Sequence, residues 1–302
     1  MPTLSGSSNI LSSFLKKHWR LFSFLLLLFG FLSFMGSGTL AQERALAAAQ
    51  RFGPVRTLGP VDYVEINTPN SGGEPKQLIL FVHGTPGSYS AFSAYLGDAV
   101  MRDTYHMISV TRPGWRNNDD EKLPSLDDQA SALEPFLHMD ESGKGAILMA
   151  HSYGGPVIAR TAMDYSELVA GLVFVATTGD PALSGPRWYN RFAVVLPRFI
   201  LGSSLKGANA EIMPLRSQLE EMLPRWQNLR MPSLIVQGDQ DRLVNPGNAL
   251  FMQRMLVNSD VTYLHREGQG HFVLWEEAGL IRDTMMQKFS ATASSVEEVL
   301  TD

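Results

Sequence analysis

Cysteine is absent from all 302 residues of the sequence. Disulfide bonds and thiolate metal sites are therefore excluded, and cysteine usage gives no information about the redox compartment. Acidic residues are absent from positions 1–41, where the basic residues are Lys16, Lys17 and Arg20. The rest of the chain holds 25 − 3 = 22 basic and 30 acidic residues, a balance of −8. This balance argues against a nucleic-acid partner, which would require a basic face.

The N-terminal segment has the composition of a targeting sequence. A basic cluster at 16–20 precedes a nearly continuous apolar run at 21–35, and small residues lead to a candidate cleavage site at 39–41. This order is typical of a secretory signal. Residues 21–40 are also long enough to span a bilayer as an uncleaved anchor. Both interpretations predict export. The folded domain would be extracytoplasmic and held at the membrane through residues 16–40, or secreted or periplasmic after cleavage.

Short apolar runs alternate with longer helical patterns beyond residue 60, without an internal repeat. Because parallel strands need long crossovers, this alternation predicts an α/β fold whose mostly parallel, doubly wound sheet carries helices on both faces. The predicted strands are 61–66, 77–82, 106–110, 146–150, 171–175, 233–237 and 261–264. The predicted helices are 89–100, 126–138, 156–165, 248–256 and 276–289.

Residues 177–230 interrupt this alternation and are too long for a simple loop. They contain an apolar, aromatic stretch at 188–201 and a helical pattern at 217–223. We therefore predict a helical insertion in an otherwise regular core. The remaining divisions are a linker at 42–59, a core at 60–176 and 231–290, and a flexible tail at 291–302.

Ser152 lies between a predicted strand and a predicted helix. Small residues at Gly154 and Gly155 follow it, and Pro156 falls near the first helical turn, where a missing N–H costs little. Strand, tight turn and helix around one serine are the context of a nucleophile elbow. Such a turn is strained and needs small neighbours. It lifts the hydroxyl to a helix N-terminus, whose dipole favours developing negative charge.

A serine hydroxyl needs a base, and the base needs a carboxylate to orient it. Among seven histidines, His271 is the best candidate, because it lies in a glycine-rich loop between the last predicted strand and helix. The acid is expected after a strand. Asp241, in the sequence Gly-Asp-Gln-Asp after strand 233–237, fits best, and Asp239 is a close rival that could instead form a turn.

Acyl transfer also requires N–H donors for an oxyanion. The backbone of Tyr153, directly after the serine, is one candidate. Thr85, in the loop His83-Gly-Thr-Pro-Gly that follows a predicted strand, is the other. Pro86 offers no N–H, but its fixed φ can hold the loop. We expect His83 to anchor this loop and His151 to pack beside or line the site.

Four motifs, H-G-T-P-G, A-H-S-Y-G, G-D-Q-D and G-H-F, occur in this order at predicted strand ends. Together they make residues 60–290 resemble the α/β-hydrolase superfamily, although Ala150 replaces the first glycine of the G-x-S-x-G elbow. The resemblance implies a helical cap at 177–230 and a catalytic triad of Ser152, Asp241 and His271, without cofactor or metal. It adds Asp180 as a third option for the acid, because some members carry their acid after the preceding strand.

The resemblance also implies a serine hydrolase, carboxylesterase-like or lipase-like, that forms an acyl-enzyme. An apolar cap favours a small-molecule ester with a hydrophobic part. Alternatives on the same triad are a peptidase, a thioesterase, a carbon–carbon-bond hydrolase or a cofactor-free haloperoxidase. A non-catalytic binding protein that keeps the fold is a further alternative. Serine at the elbow argues against epoxide hydrolases and haloalkane dehalogenases, whose nucleophile is aspartate.

Overall fold

The computed structural model describes residues 52–69, 73–116, 122–197 and 201–300, with side chains as far as residue 290. All of them belong to a compact unit that spans residues 48–302. The predicted signal or anchor and residues 42–51 of the predicted linker lie outside the described residues. Within the described ranges, no helix combines the length and the apolar character needed to cross a bilayer.

The described residues form one sheet of eight strands, in the order β1-β2-β4-β3-β5-β6-β7-β8. The strands are β1 Arg56–Leu58, β2 Val61–Ile66, β3 Leu78–Val82, β4 His106–Thr111, β5 Ala146–His151, β6 Val169–Val175, β7 Ser233–Gly238 and β8 Val261–Arg266. β2 pairs antiparallel with β1 and β4. The other neighbours pair in parallel. The predicted mostly parallel α/β sheet is confirmed.

Helices cover both faces of the sheet. The helices of the described residues are α1 Ser93–Leu96, α2 Ala99–Thr104, α3 Leu126–Leu137, α4 Gly154–Asp164, α5 Trp188–Val195, α6 Ser203–Met222, α7 Gly247–Met255, α8 Val273–Glu276 and α9 Ala278–Leu300. Successive side chains of a strand point to opposite faces. Leu80 of β3 therefore packs in one core with α3 and α4, whereas Phe81 packs in the other with α1 and α9.

Two predicted helices differ from the structure. The segment predicted as one helix at 89–100 consists of a 3-10 turn at Tyr89–Phe92, then α1 and α2. The Asp98 carboxylate starts α2 by accepting from the amides of Val100 and Met101, both at 3.0 Å. Such capping groups favour a new helix start over continuation. The last predicted helix, at 276–289, corresponds to α9, which begins at Ala278 and continues to Leu300 instead of ending at Phe289, and the short helix α8 precedes it.

The segment between β6 and β7 contains α5, α6 and a 3-10 turn at Leu223–Asn228. The helical insertion is therefore present, and α6 is much longer than the pattern at 217–223 indicated. Most apolar side chains of α5 are exposed, with Trp188 65% and Val195 73% exposed. The division of the chain into core and cap domains stays a prediction.

Candidate active site

Ser152 occupies a strained turn directly after β5. Its φ is +55°, which is uncommon for any residue with a side chain. The turn is held by hydrogen bonds from the Ser152 amide to the Val175 carbonyl and from the Gly155 amide to the Ser152 carbonyl, both 3.1 Å. A Cβ at Gly154 would lie 2.5 Å from the Val82 carbonyl oxygen. Close approach of the β3 backbone therefore requires glycine at position 154, two residues after the serine.

The three residues predicted as a triad meet at this turn. The Nε2 atom of His271 lies 3.1 Å from Ser152 Oγ, and its Nδ1 atom lies 2.8 Å from Asp241 Oδ2. The His271 side chain is 8% exposed, and that of Asp241 is fully buried. Because a carboxylate only accepts hydrogen bonds, Nδ1 carries the proton and Nε2 is left to accept from the serine hydroxyl.

Asp241 is held in its ionised form by its surroundings. Burial raises its pKa, but the hydrogen bond and charge of His271 and the amides of Val244 and Leu243 outweigh burial, so the pKa lies below the usual value. Both amides donate to Oδ1 at 2.9 Å, and Gln237 Nε2 donates to Oδ2 at 3.2 Å. A permanent anion therefore faces the imidazole near neutral pH.

The two alternative acids have other hydrogen-bond partners in the structure. Asp239 Oδ1 accepts from the Gly268 amide at 2.8 Å, which closes the loop beside it. Asp180 Oδ1 accepts from the Ala182 amide at 2.8 Å and so forms a local turn. Among the described residues, the carboxylate bonded to His271 is that of Asp241.

The loop after β3 passes directly against the serine. A Cβ at Gly84 would lie 2.8 Å from Ser152 Cβ, so the loop backbone approaches the nucleophile closely. Thr85 follows, and its hydroxyl is buried without a hydrogen-bond partner in the part of the chain that the structure describes. Tyr153 is the N-cap residue of α4. Tyr153 therefore adjoins Ser152 in the chain, and Thr85 follows the glycine whose backbone approaches Ser152. Both predicted oxyanion donors lie beside the serine.

His83 anchors this loop as a neutral imidazole. Its Nδ1–H donates to the Gly84 carbonyl at 2.6 Å, and its Nε2 accepts from the Arg112 amide at 3.0 Å. Burial, and then the charge of Arg112, hold the pKa of His83 well below 6.5. Both ring nitrogens are occupied by the backbone, so His83 is not available as a base for Ser152.

His151 packs behind the candidate base. Its Nε2–H donates to the His271 carbonyl at 3.0 Å, and the two ring centroids are 4.7 Å apart. The centroid of the Trp275 ring lies 4.8 Å from that of His151. Burial, reinforced by the neighbouring His271, lowers the pKa of His151 to about 3. The residue is therefore uncharged near neutral pH and supports both the ring and the backbone of His271.

The sequence pattern gave no role to a buried ion pair beside this loop. Arg112, just after β4, and Glu211, on α6, are both fully buried, with Arg112 Nη1 2.7 Å from Glu211 Oε1. Their 99-residue separation leaves no local pattern. The sequence could have indicated Arg112, because it is a charged residue at the carboxyl end of a buried strand, where ligands bind in such sheets. In the described ranges, no cluster of three or more His, Asp or Glu side chains could hold a metal ion.

Comparisons with known proteins agree with this architecture. The model of the "Alpha/beta hydrolase family" matches residues 79–284. Monoglyceride lipase of Homo sapiens is 23% identical over 261 residues, covering 74% of this chain and 84% of that lipase. An alpha/beta hydrolase enzyme from the metagenome of lagoon sediments of Mar Chica, Morocco, superposes with a TM-score of 0.60 at 17% identity, covering 80% of this chain and 100% of its own.

A further solved structure, of a membrane phospholipase A described as a bacterial virulence factor, has a TM-score of 0.57 at 18% identity. It covers 91% of this chain and 98% of its own. Identities this low establish a shared fold but not a shared substrate.

Proposed function

The chain belongs to the alpha/beta hydrolase family and is a hydrolase enzyme, and on this basis we propose that it is a serine hydrolase that cleaves carboxylic esters through a covalent acyl-enzyme. One observation carries the proposal: a serine hydroxyl, an imidazole and a buried carboxylate are linked by contacts of 3.1 and 2.8 Å at the elbow. A hydroxyl becomes an effective nucleophile when a base of this kind can take its proton.

The proposed reaction has two stages that use the same base. His271 Nε2 accepts the proton of Ser152 as Oγ attacks the ester carbonyl carbon, and the N–H groups of Thr85 and Tyr153 stabilise the oxyanion. The imidazolium then protonates the departing alkoxide, which leaves as the alcohol. In the second stage His271 takes a proton from water as the water oxygen attacks the acyl carbon. The imidazolium then returns this proton to Ser152 Oγ as the acyl–oxygen bond breaks, which releases the carboxylic acid and restores the serine hydroxyl.

The surroundings of His271 favour its transient positive charge. Asp241 is ionised and bonded to Nδ1, so it orients the ring and offsets the charge that develops on it. His151 packs against the ring of His271, and its pKa of about 3 keeps it neutral at working pH. A second cation would oppose proton uptake by His271, and the buried neutral ring avoids that repulsion.

We propose a small-molecule ester with a hydrophobic part as the substrate, of the kind cleaved by carboxylesterases and lipases. The similarity to monoglyceride lipase supports this class. The apolar composition of the insertion between β6 and β7 is in keeping with it, since pockets for such substrates are mostly apolar. Peptidase, thioesterase and haloperoxidase activities use the same triad, and a substrate panel separates the first two of them from ester cleavage.

The test is a panel of nitrophenyl esters of increasing acyl length, a monoacylglycerol, a thioester and a peptide anilide. The full chain and its Ser152→Ala variant are compared at matched concentrations. We expect ester turnover that rises with acyl length and is lost in the variant. Preferred cleavage of the thioester or the anilide would replace the ester proposal. A folded chain that turns over no substrate and is not labelled by a fluorophosphonate would favour a binding role.

We also propose that residues 1–41 export the chain and either leave it anchored in the membrane or are cleaved from it. The basic cluster at 16–20 followed by the apolar run at 21–35 supports this proposal. Export would place the hydrolase where it meets extracytoplasmic substrates.

A further inference from the structure

Arg112 is a fully buried cation whose hydrogen-bonding capacity is completely used. A guanidinium has five N–H donors. Nε donates to the His83 carbonyl at 2.9 Å, and Nη2 donates to the Gly84 carbonyl at 2.8 Å. The remaining three bonds go to the Gln129 side chain and to both carboxylate oxygens of Glu211. Arg112 is therefore fixed in one orientation, with two of its donors on the loop that contains Thr85.

The Gly84 carbonyl controls the direction of the Thr85 N–H. It accepts from both Arg112 Nη2 and His83 Nδ1, at 2.8 and 2.6 Å. This carbonyl and the Thr85 N–H belong to one planar peptide unit, in which they point in opposite directions. Holding the oxygen on the Arg112 side therefore holds the N–H on the other side. Arg112 also lies over the Tyr153 ring, 4.9 Å from its centroid. It therefore contacts the side chain of one proposed oxyanion donor and the carbonyl of the residue that precedes the other.

Glu211 is the counter-ion that allows Arg112 to occupy this position. Its carboxylate accepts from Nη1 at 2.7 Å and from Nη2 at 3.1 Å, and Trp115 Nε1 donates to it at 2.9 Å. A guanidinium left without its partner in a fully buried site is strongly disfavoured. Because Glu211 belongs to α6, the charge that holds the loop is balanced from the helical insertion and not from the core.

We propose that Arg112 and Glu211 are positioning residues that orient the Gly84–Thr85 peptide, so that docking of α6 on the core sets one donor of the oxyanion site. This inference rests on the proposed function. Both side chains are fully buried, so the proposal gives neither of them a contact with the substrate. The two residues affect the reaction through the Gly84 carbonyl. Their loss should therefore weaken stabilisation of the transition state and leave ground-state binding of the ester unchanged.

The first test is the Glu211→Gln variant of the full chain, with a short nitrophenyl ester. We expect kcat to fall about 10- to 100-fold, less than the loss of a whole oxyanion donor, with KM within about twofold. Binding of a trifluoromethyl ketone, whose adduct carries an oxyanion, should weaken by the same factor as kcat/KM. The matched control is Glu220→Gln, an exposed residue of the same helix, which should match the wild type in all three measurements.

The second test separates positioning from stability, because Glu211→Gln can also impair folding. The double variant Arg112→Met with Glu211→Leu removes both charges, and apolar replacements of a buried ion pair are often well tolerated. We expect it to melt near the wild-type temperature and yet keep the kcat defect. Wild-type kcat in either variant would overturn the inference. A wild-type chain without any esterase activity would instead remove the proposed function, and the inference with it.

Discussion

Asp241 and Asp239 are separated by one residue, yet the structure places only the first against the imidazole of His271. Asp241 is buried and receives two backbone amides in addition to the ring N–H, whereas Asp239 accepts from the Gly268 amide. The motif around them could not separate the two positions completely, because both follow the same strand. The register of β7 and its turn decides which carboxylate reaches the histidine.

We expect Asp241→Asn to lower kcat by about 10⁴-fold, because the amide cannot fix the histidine tautomer or stabilise its cation. Asp239→Asn, the matched control two positions away, should stay within about threefold of the wild type. Steady-state kinetics of both variants on the best ester of the panel provide the measurement. A larger loss at Asp239 than at Asp241 would show that the acid is assigned to the wrong residue.

His151 should make the protein less stable as the pH falls. Its folded-state pKa of about 3 lies below the unfolded value near 6.5, so between these limits the unfolded chain binds the extra proton. Stability therefore falls with decreasing pH across that window, by at most about 1.4 kcal/mol per pH unit for this group.

The His151→Gln variant should lose less stability than the wild type between pH 6.5 and pH 4, in urea unfolding followed at several pH values. Gln keeps a donor for the His271 carbonyl and does not titrate. The exposed His138, replaced in the same way, serves as the control and should leave the wild-type slope unchanged. Equal slopes for wild type and His151→Gln would contradict a buried neutral imidazole at this position.

Side chains whose role depends on a local motif could be predicted, and those whose role depends on distant packing could not. Ser152 and His271 stand in short glycine-rich motifs next to strand ends, which is why the sequence identified them as candidates. Arg112 and Glu211 acquire their roles only when α6 lies over the end of β4. A complementary pair of charges so far apart in the chain has no signature in a single sequence.

The elbow is an element whose geometry depends on missing side chains. Gly154 lies against the Val82 and His83 carbonyls, at 2.5 and 2.8 Å from where its Cβ would be. Because the crowding atoms are backbone of β3 and its loop, they cannot move without disturbing the sheet. The same approach brings the loop after β3 next to Ser152.

We expect Gly154→Ala to lower the free energy of unfolding by about 2–3 kcal/mol or more, as in other overpacked sites. The substitution should also lower esterase activity. The control is Gly279→Ala in α9, where an added Cβ meets no atom within 4 Å. There the substitution should be neutral or stabilise by up to about 1 kcal/mol. Chemical unfolding of both variants tests the pair, and a Gly154→Ala protein as stable as wild type would contradict the close approach.

Most elements followed from their hydrophobic patterns, and the failures have identifiable causes. β3, β5 and β7 are buried along their whole length, and each contains an uninterrupted apolar run that predicted a strand. β1 is exposed at all three residues, so no apolar pattern marked it. Its place in the sheet comes from antiparallel pairing with β2, which a single sequence does not display.

The whole molecule joins an acidic folded domain to an N-terminal segment free of acidic residues. We expect residues 1–41, fused to a phosphatase reporter that is active only after export, to give reporter activity. Two aspartates placed within 21–35 should abolish it, because charges in an apolar targeting run oppose membrane insertion. A stable fusion that stays inactive would contradict export.

The sheet also explains how residues far apart in the chain form one site. Ser152, Asp241 and His271 follow β5, β7 and β8, and parallel strands bring their carboxyl ends to one edge. The fold class could therefore be predicted together with the location of the site. The contact between this edge and α6 through Glu211 could not be predicted, since it depends on how the insertion packs over the core.

The most direct test is mass spectrometry of the protein quenched in acid during turnover of an ester. We predict an acyl group on the peptide that contains Ser152, absent from the Ser152→Ala variant and slow to accumulate in His271→Ala. An unmodified Ser152 peptide under conditions of measurable ester turnover, or an acyl group carried by another residue, would contradict the account.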